Sequence, residues 1–316
     1  MLRGYALAYP ALICISYDPL YVIRETYTAR GKVALLAGGG SGHEPMHLGF
    51  VGYGMLDAAV PGPIFTAPTP DQIIAATIAA DRGAGVLYII KNYAGDILNF
   101  EIAREVCAAR GIAIASVLVN DDAALDAAAD RRGIGATVLV EKIAGAAAES
   151  GASLAECAAI AQRVVDATRS IGVALTSCTV PERGRPTFDL GDDEIEIGVG
   201  IHGERGRRRG RYMSAAPLVR ELAELLLDRL DTRAGDRTLA FVNGLGATPP
   251  HELHIVYAEL VGRCADAGVS IVRNLIGSYL TSLDMAGCSI TLLRLDDDLC
   301  SLWDAPVHTA ALRWGM

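Results

Sequence analysis

The run from Lys32 to Ala37 (KVALLA) is apolar and stops abruptly at three glycines, Gly38-Gly39-Gly40. A buried parallel strand reads this way, because cover on both faces removes the need for alternation. Gly85 to Ile90 (GVLYII) and Ile112 to Val119 (IAIASVLV) repeat the pattern. Helical stretches lie between them, Thr69 to Asp81 with Pro70 near its start and Asn99 to Arg110. Strand and helix in alternation predict a parallel sheet with helices on its faces.

Residues 139 to 168 are Ala-rich and predict two helices broken near Gly151, with Ser153 as an N-cap. Further on, Glu194 to Ile201, Leu239 to Asn243, Val269 to Arg273 and Ser289 to Leu295 read as strands, and Leu218 to Leu230 and Pro250 to Ala267 as helices. The expected fold is α/β, with two α/β domains built on mainly parallel sheets and a Gly-rich loop at a strand end in the first. The expected division is 1–170 and 171–298, with the C-terminal segment 299–316 a candidate to pack back on the first domain.

With 316 residues, 51% of them hydrophobic, the chain can bury a full core. A net charge of −9 disfavours nucleic acid as a partner. Seven scattered cysteines without CxxC spacing suit reduced thiols and a cytoplasmic location better than disulfides or a zinc cage. No apolar run has the length of a membrane span. The N-terminal MLRGYALAYPALICIS has the length of a signal peptide, but its tyrosines, its proline and the lack of a small-residue cleavage site argue against export.

Three segments carry chemistry. Gly38-Gly39-Gly40-Ser41-Gly42-His43-Glu44-Pro45 follows a predicted strand, where an open α/β sheet presents its ligand crevice. It matches neither GxGxxG nor a phosphate loop with its lysine, so a dinucleotide-binding oxidoreductase rests on the glycines alone. Lys91-Asn92-Tyr93-Ala94-Gly95-Asp96 follows the next strand, and Asp96 reads either as a cap for a helix starting near Asn99 or as a base at the crevice. Gly198-Val199-Gly200-Ile201-His202-Gly203-Glu204 holds one histidine between glycines, accessible enough to attack a carbonyl. His43, His47 and His202 lack the local spacing of a zinc site, so no metal is expected.

These segments, with VEKIAGAAAE, SCTVP, VNGLGATP, RNLIGSYLTSLDMAGCSITLL and LWDAPVHTAAL, closely resemble the substrate-binding subunit of dihydroxyacetone kinases. The resemblance implies that His202 bonds covalently to the substrate carbonyl as a hemiaminal. It implies that His43 hydrogen-bonds and polarises the substrate, and that Asp96 is the base for the hydroxyl being phosphorylated. Gly40, Ser41, Gly42 and Lys91 would line the same pocket. The implied substrate is dihydroxyacetone or a four-carbon ketose such as erythrulose, in glycerol metabolism.

No cofactor is expected on this chain. The resemblance places ATP or ADP, with Mg²⁺, on a separate helical nucleotide-binding subunit, in some systems recharged by a phosphoenolpyruvate-dependent phosphotransferase protein. It also implies a homodimer. A non-catalytic, triose-sensing regulator of the same family is the competing reading.

The acidic runs Asp121-Asp122 and Asp296-Asp297-Asp298 read as solvated surface. The N-terminus and the region after Leu230 look shorter than the family pattern. Arg205 to Arg211 (RGRRRGR) departs from it with five arginines, either a solvated loop or a docking surface for the partner subunit.

Overall fold

The computed structural model describes residues 1–25 and 30–316. The chain divides into two compact units: Met1–Val119, Thr137–Val164 and Asp298–Met316 make the first, and Asn120–Ala136 with Val165–Asp297 the second.

The first unit carries a six-stranded sheet of β1 (Ile13–Tyr17), β2 (Leu20–Arg24), β3 (Ala34–Ser41), β4 (Ala58–Ile64), β5 (Val86–Lys91) and β6 (Ile114–Val119). Their spatial order is β1-β2-β4-β3-β5-β6. The β3–β4, β3–β5 and β5–β6 pairs are parallel, and β1 and β2 add an antiparallel edge. From β3 the chain goes to β4 on one side and then to β5 on the other. The carboxyl ends of β3 and β5 therefore bound the crevice where connections diverge, which is where open α/β sheets bind ligands.

Helices α1 (Pro70–Ala80) and α2 (Ala94–Ala109) pack on this sheet. Leu36, Val60, Ile73, Tyr88 and Phe100 share one core cluster. Phe100 meets Tyr88 edge-on at 5.2 Å, and the buried Tyr88 hydroxyl pairs with Thr77 Oγ1 at 2.7 Å. The start of α1 is fixed from within its first turn, where Gln72 Oε1 accepts the Thr69 backbone N–H at 2.9 Å. The Ala-rich stretch forms α3 (Ala136–Glu149) and α4 (Leu154–Asp166), with Ser153 and Glu156 as a reciprocal capping box. The C-terminal stretch belongs with this unit, since Val307–Thr309 pairs with Gly52–Tyr53.

The second unit holds β7 (Thr168–Ala174), β8 (Glu194–Ile197), β9 (Arg208–Arg211), β10 (Arg237–Gly244), β11 (Ser270–Gly277) and β12 (Gly287–Arg294), in the order β9-β8-β7-β12-β10-β11. The mainly parallel pattern of the first sheet does not extend here. Only β10 and β11 run parallel, and the other neighbours are antiparallel. The reason is physical: β7, β10 and β12 are buried almost throughout. A continuous apolar run reports two-sided burial and carries no information about strand direction. Helices α5 (Ala215–Arg229) and α6 (Pro250–Asp266) supply Leu222, Leu226, Leu253 and Leu260 to a core shared with Val242 and Ile290.

Asp121 and Asp122 are not surface residues; they are 0% and 1% exposed. Asp121 accepts the backbone N–H groups of Ile134 and Ala136, each at 2.8 Å, and the Ser170 hydroxyl. Asp122 pairs with Arg132 at 2.6 Å. Donors from distant parts of the chain make burial of two adjacent carboxyls tolerable, and their positions are invisible in the local sequence. These bonds also explain why 120–136 groups with the second unit, although a boundary near 170 would have left it in the first. Asp297 and Asp298 are exposed. No helix among the described residues is long and apolar enough to cross a membrane.

Replacing Asp121 with Ala strands two buried N–H groups, each costing about 1–3 kcal/mol. Asp121→Ala is therefore expected to lose about 3 kcal/mol in denaturant unfolding; a loss below about 1 kcal/mol would contradict this accounting.

Candidate functional site

In the first unit the site begins with Lys91, the last residue of β5, whose side chain is 1% exposed. It turns towards β3, where a Cβ on Gly39 would lie 2.2 Å from Nζ. Glycine at 39 is thus the condition for the lysine to be there. The ammonium donates to the Gly38 carbonyl at 3.1 Å, meets His47 Nε2 at 3.0 Å and faces Asp96 Oδ2 at 3.5 Å.

Asp96 is buried in the first turn of α2. The helix starts at Ala94, five residues before the expected Asn99, and Tyr93 occupies the N-cap position. The cap reading of Asp96 therefore falls away. The ammonium and the positive end of the helix both attract its carboxylate.

The loop after β3 is tied down. Ser41 Oγ donates to the Gly62 carbonyl at 2.7 Å, and the Gly42 N–H donates to Glu44 Oε2 at 2.9 Å. Gly42 adopts φ 105°, a left-handed value that a side chain resists. A Cβ at Gly40 would sit 2.5 Å from the Thr66 backbone nitrogen. His43 is buried and stacks on Phe65, with ring centroids 5.0 Å apart and planes at 15°. The unit thus brings Gly40, Ser41, Gly42, Lys91 and Asp96 to the carboxyl ends of two adjacent strands, with His43 in the same loop.

Behind Lys91 lie two residues that had no assigned role in the sequence. His47 Nδ1 is 2.5 Å from Glu141 Oε1 of α3. Burial pushes the His47 imidazole well below its ordinary range, helped by the charges of Lys91 and His43. Burial pushes the Glu141 carboxyl well above its own, with Lys91 pulling it back. The available signal was Glu141-Lys142 inside an otherwise apolar, Ala-rich helix, where both side chains prove to be buried.

His202 belongs to the second unit, in the connection between β8 and β9, which pair as an antiparallel hairpin. The strand ends at Ile197, four residues short of the expected Ile201, and the remainder forms the loop. Glu204 folds back under the histidine. Its Oε2 accepts the His202 backbone N–H at 2.8 Å and its Oε1 meets His202 Nδ1 at 2.8 Å. A Cβ at Gly200 would lie 2.1 Å from Glu204 Oε2, so this return needs glycine there. Arg132, anchored on Asp122, pins the loop by donating to the Gly198 carbonyl at 2.7 Å.

Burial works to raise the Glu204 carboxyl, but hydrogen bonds and charge from His202, with backbone donors, outweigh it and pull the carboxyl down to about 2. It is an acceptor at any working pH. The neutral imidazole then carries its proton on Nδ1 and presents the lone pair on Nε2, as in a hydrolase triad. Glu204 carries no signal of this role in the sequence beyond its place two residues after His202.

Of the five arginines after His202, Arg207 pairs with Asp126, Arg208 with Glu221, and Arg209 with Glu194 and Glu196. Arg205 and Arg209 line a polar cavity of about 530 Å³ with Gly203, Thr187 and Glu196. Among the described residues, no three His, Cys, Asp or Glu side chains group as a metal site.

The first unit thus holds a lysine-bound carboxylate at a glycine-rich strand end, and the second an imidazole with a carboxylate on its Nδ1. Residues 3–311 match the Dak1 domain, and the chain belongs to that family. It is 49% identical to the PEP-dependent dihydroxyacetone kinase, dihydroxyacetone-binding subunit DhaK, of Escherichia coli K12, over 99% of this chain and 96% of that protein. A dihydroxyacetone kinase operon co-activator, DhaQ, superposes with a TM-score of 0.93 at 33% identity, covering 98% of this chain and 97% of the other. The dihydroxyacetone kinase of C. freundii in complex with AMP-PNP and Mg²⁺ superposes with a TM-score of 0.90 at 35% identity, over 98% of this chain and 58% of that one.

The tautomer assignment is open to measurement. In ¹⁵N-labelled protein at neutral pH, the uncharged His202 ring is expected to carry its proton on Nδ1, and Glu204→Gln to mix the two tautomers. An Nε2–H ring in the wild type would refute the assignment.

Proposed function

We propose that this chain is the sugar-binding subunit of a dihydroxyacetone kinase, holding the ketose on His202 while a second protein delivers the phosphoryl group. The observation that carries this reading is the Glu204–His202 contact, which puts the lone pair on Nε2. Nε2 attacks the carbonyl carbon, the C=O π pair moves to oxygen, and the oxygen takes up a proton, giving a hemiaminal. The positive charge that builds on the imidazole is met by the Glu204 carboxylate. Capture of this kind needs a carbonyl, so glycerol is refused by chemistry rather than by shape, which discriminates small polyols poorly.

In this reading His43 hydrogen-bonds and polarises the captured sugar, and Gly40, Ser41, Gly42 and Lys91 line its pocket. Asp96 takes the proton of the hydroxyl that attacks phosphorus. The covalent anchor holds that hydroxyl for in-line attack, a gain in proximity. The phosphoryl donor is ATP, or ADP recharged from phosphoenolpyruvate through a phosphotransferase protein, held with Mg²⁺ on a helical nucleotide-binding subunit. The likeness to the PEP-dependent E. coli subunit supports the second route. We further propose a cytoplasmic homodimer acting in glycerol metabolism.

A second reading, a regulator that senses the triose without phosphorylating it, is favoured by the likeness to the operon co-activator. The two separate in one assay: the chain is mixed with a nucleotide-carrying kinase subunit and either dihydroxyacetone or erythrulose, and sugar phosphate is followed. The kinase reading predicts product from at least one ketose. His202→Ala is expected to lose tight sugar binding, and Asp96→Asn to keep the sugar but lose turnover by a factor of about 10² or more. Full activity in Asp96→Asn would remove it as the base, and sugar binding without product in the wild type would favour the regulator.

A further inference from the structure

Lys91 poses a physical problem. A buried ammonium needs acceptors, and its partners are the Gly38 carbonyl, Asp96 Oδ2 and His47 Nε2. An imidazole nitrogen accepts only when it carries no proton. His47 Nε2 can therefore serve Lys91 only if the ring is neutral and its proton sits on Nδ1. Glu141 Oε1, 2.5 Å from Nδ1, is the acceptor that selects this tautomer. The other carboxyl oxygen, Glu141 Oε2, is buried with no hydrogen-bond partner, and only the Lys91 charge pulls against the burial of the acid. Glu141 is 0% exposed and His47 6%. A carboxyl kept at such a cost, aimed at a histidine that is aimed at a lysine, has the form of an orienting chain.

We propose that Glu141 and His47 are positioning residues: Glu141 fixes the His47 tautomer, His47 holds the Lys91 ammonium, and Lys91 holds Asp96 in place as the base. The proposal rests on the reading of Asp96 as that base. In this reading both residues act through Lys91 rather than on the sugar. The charged and titratable groups bearing on the chain are Lys91 and His43 at the imidazole and Lys91 at the carboxyl. Burial of the imidazole keeps it uncharged, whereas burial of Glu141 favours its protonated form, so the acceptor on Nε2 lasts only while Glu141 stays ionised. If Glu141 takes a proton as the pH falls, its O–H donates to Nδ1 and the ring proton moves to Nε2. That proton then points at the ammonium, Lys91 loses an acceptor, and Asp96 loses its fixed partner. Acid should therefore lower turnover through Glu141 without releasing the sugar.

Two measurements on the full chain test this. The first needs no variant: the His47 ring, assigned through its backbone correlations in ¹⁵N-labelled protein, is expected to be uncharged at neutral pH with its proton on Nδ1. A cationic ring, or one with its proton on Nε2, overturns the proposal. The second compares Glu141→Gln with Glu141→Asp in the coupled assay. Glu141→Gln should lower kcat about tenfold. It should leave dihydroxyacetone affinity essentially unchanged and flatten the acid limb of kcat, while Glu141→Asp restores part of both. Wild-type kcat and an unaltered acid limb in Glu141→Gln overturn the proposal. If the wild type makes no sugar phosphate with an active partner subunit, the kinase reading fails instead, and the imidazole readout still decides the positioning chain.

Discussion

The Lys91 ammonium occupies the space that any side chain on Gly39 would need, with only 2.2 Å between Nζ and a Cβ built there. Much of the first unit follows from this. A buried cation at the end of β5 has to be met by acceptors, and they come from three separate elements: the backbone of β3, the first turn of α2 and His47 in the loop after β3. The parallel β3–β5 pair brings the first two within reach, and the diverging connections on either side leave the crevice open at that end. The glycine run is a packing requirement before it is a flexible loop.

The second unit solves a related problem with different parts. In the proposed function His202 must keep one nitrogen protonated and the other able to attack, and Glu204 serves this from two residues away through both a side-chain and a backbone bond. Gly200 makes the room, and Arg132 with Asp122 holds the loop from behind. In each unit the group assigned the chemistry is held by a charged partner, and that partner or its neighbour is in turn anchored by another buried residue.

Much of this was legible in the sequence. Apolar runs leading into Gly38 and Lys91 announced two strands, although β3 continues through the glycines to Ser41, and His43, Asp96 and His202 stood out as polar groups beside glycines. Other features depended on distant residues. Asp121 and Asp122 look like surface acids until Ser170, Arg132 and two backbone donors are placed around them. The start of α2 at Ala94 was hidden because Tyr93, which occupies the N-cap position, carries no cap signal, and Asp96 is a buried first-turn carboxylate rather than a cap. The mostly antiparallel second sheet was hidden because buried strands read alike in either direction. The ion-pair partners of three arginines after His202, namely Asp126, Glu221 and Glu196, are remote or on the paired strand and so could not be read from the local sequence.

In the proposed function a ketose becomes tetrahedral on His202. Carbon NMR of dihydroxyacetone labelled at its carbonyl carbon tests it most directly. With the wild-type chain, the account predicts that the ketone signal is replaced by a protein-bound signal in the range of a tetrahedral carbon bearing nitrogen and oxygen, absent in His202→Ala. A bound sugar that keeps its ketone signal, or the same tetrahedral signal in His202→Ala, would contradict it.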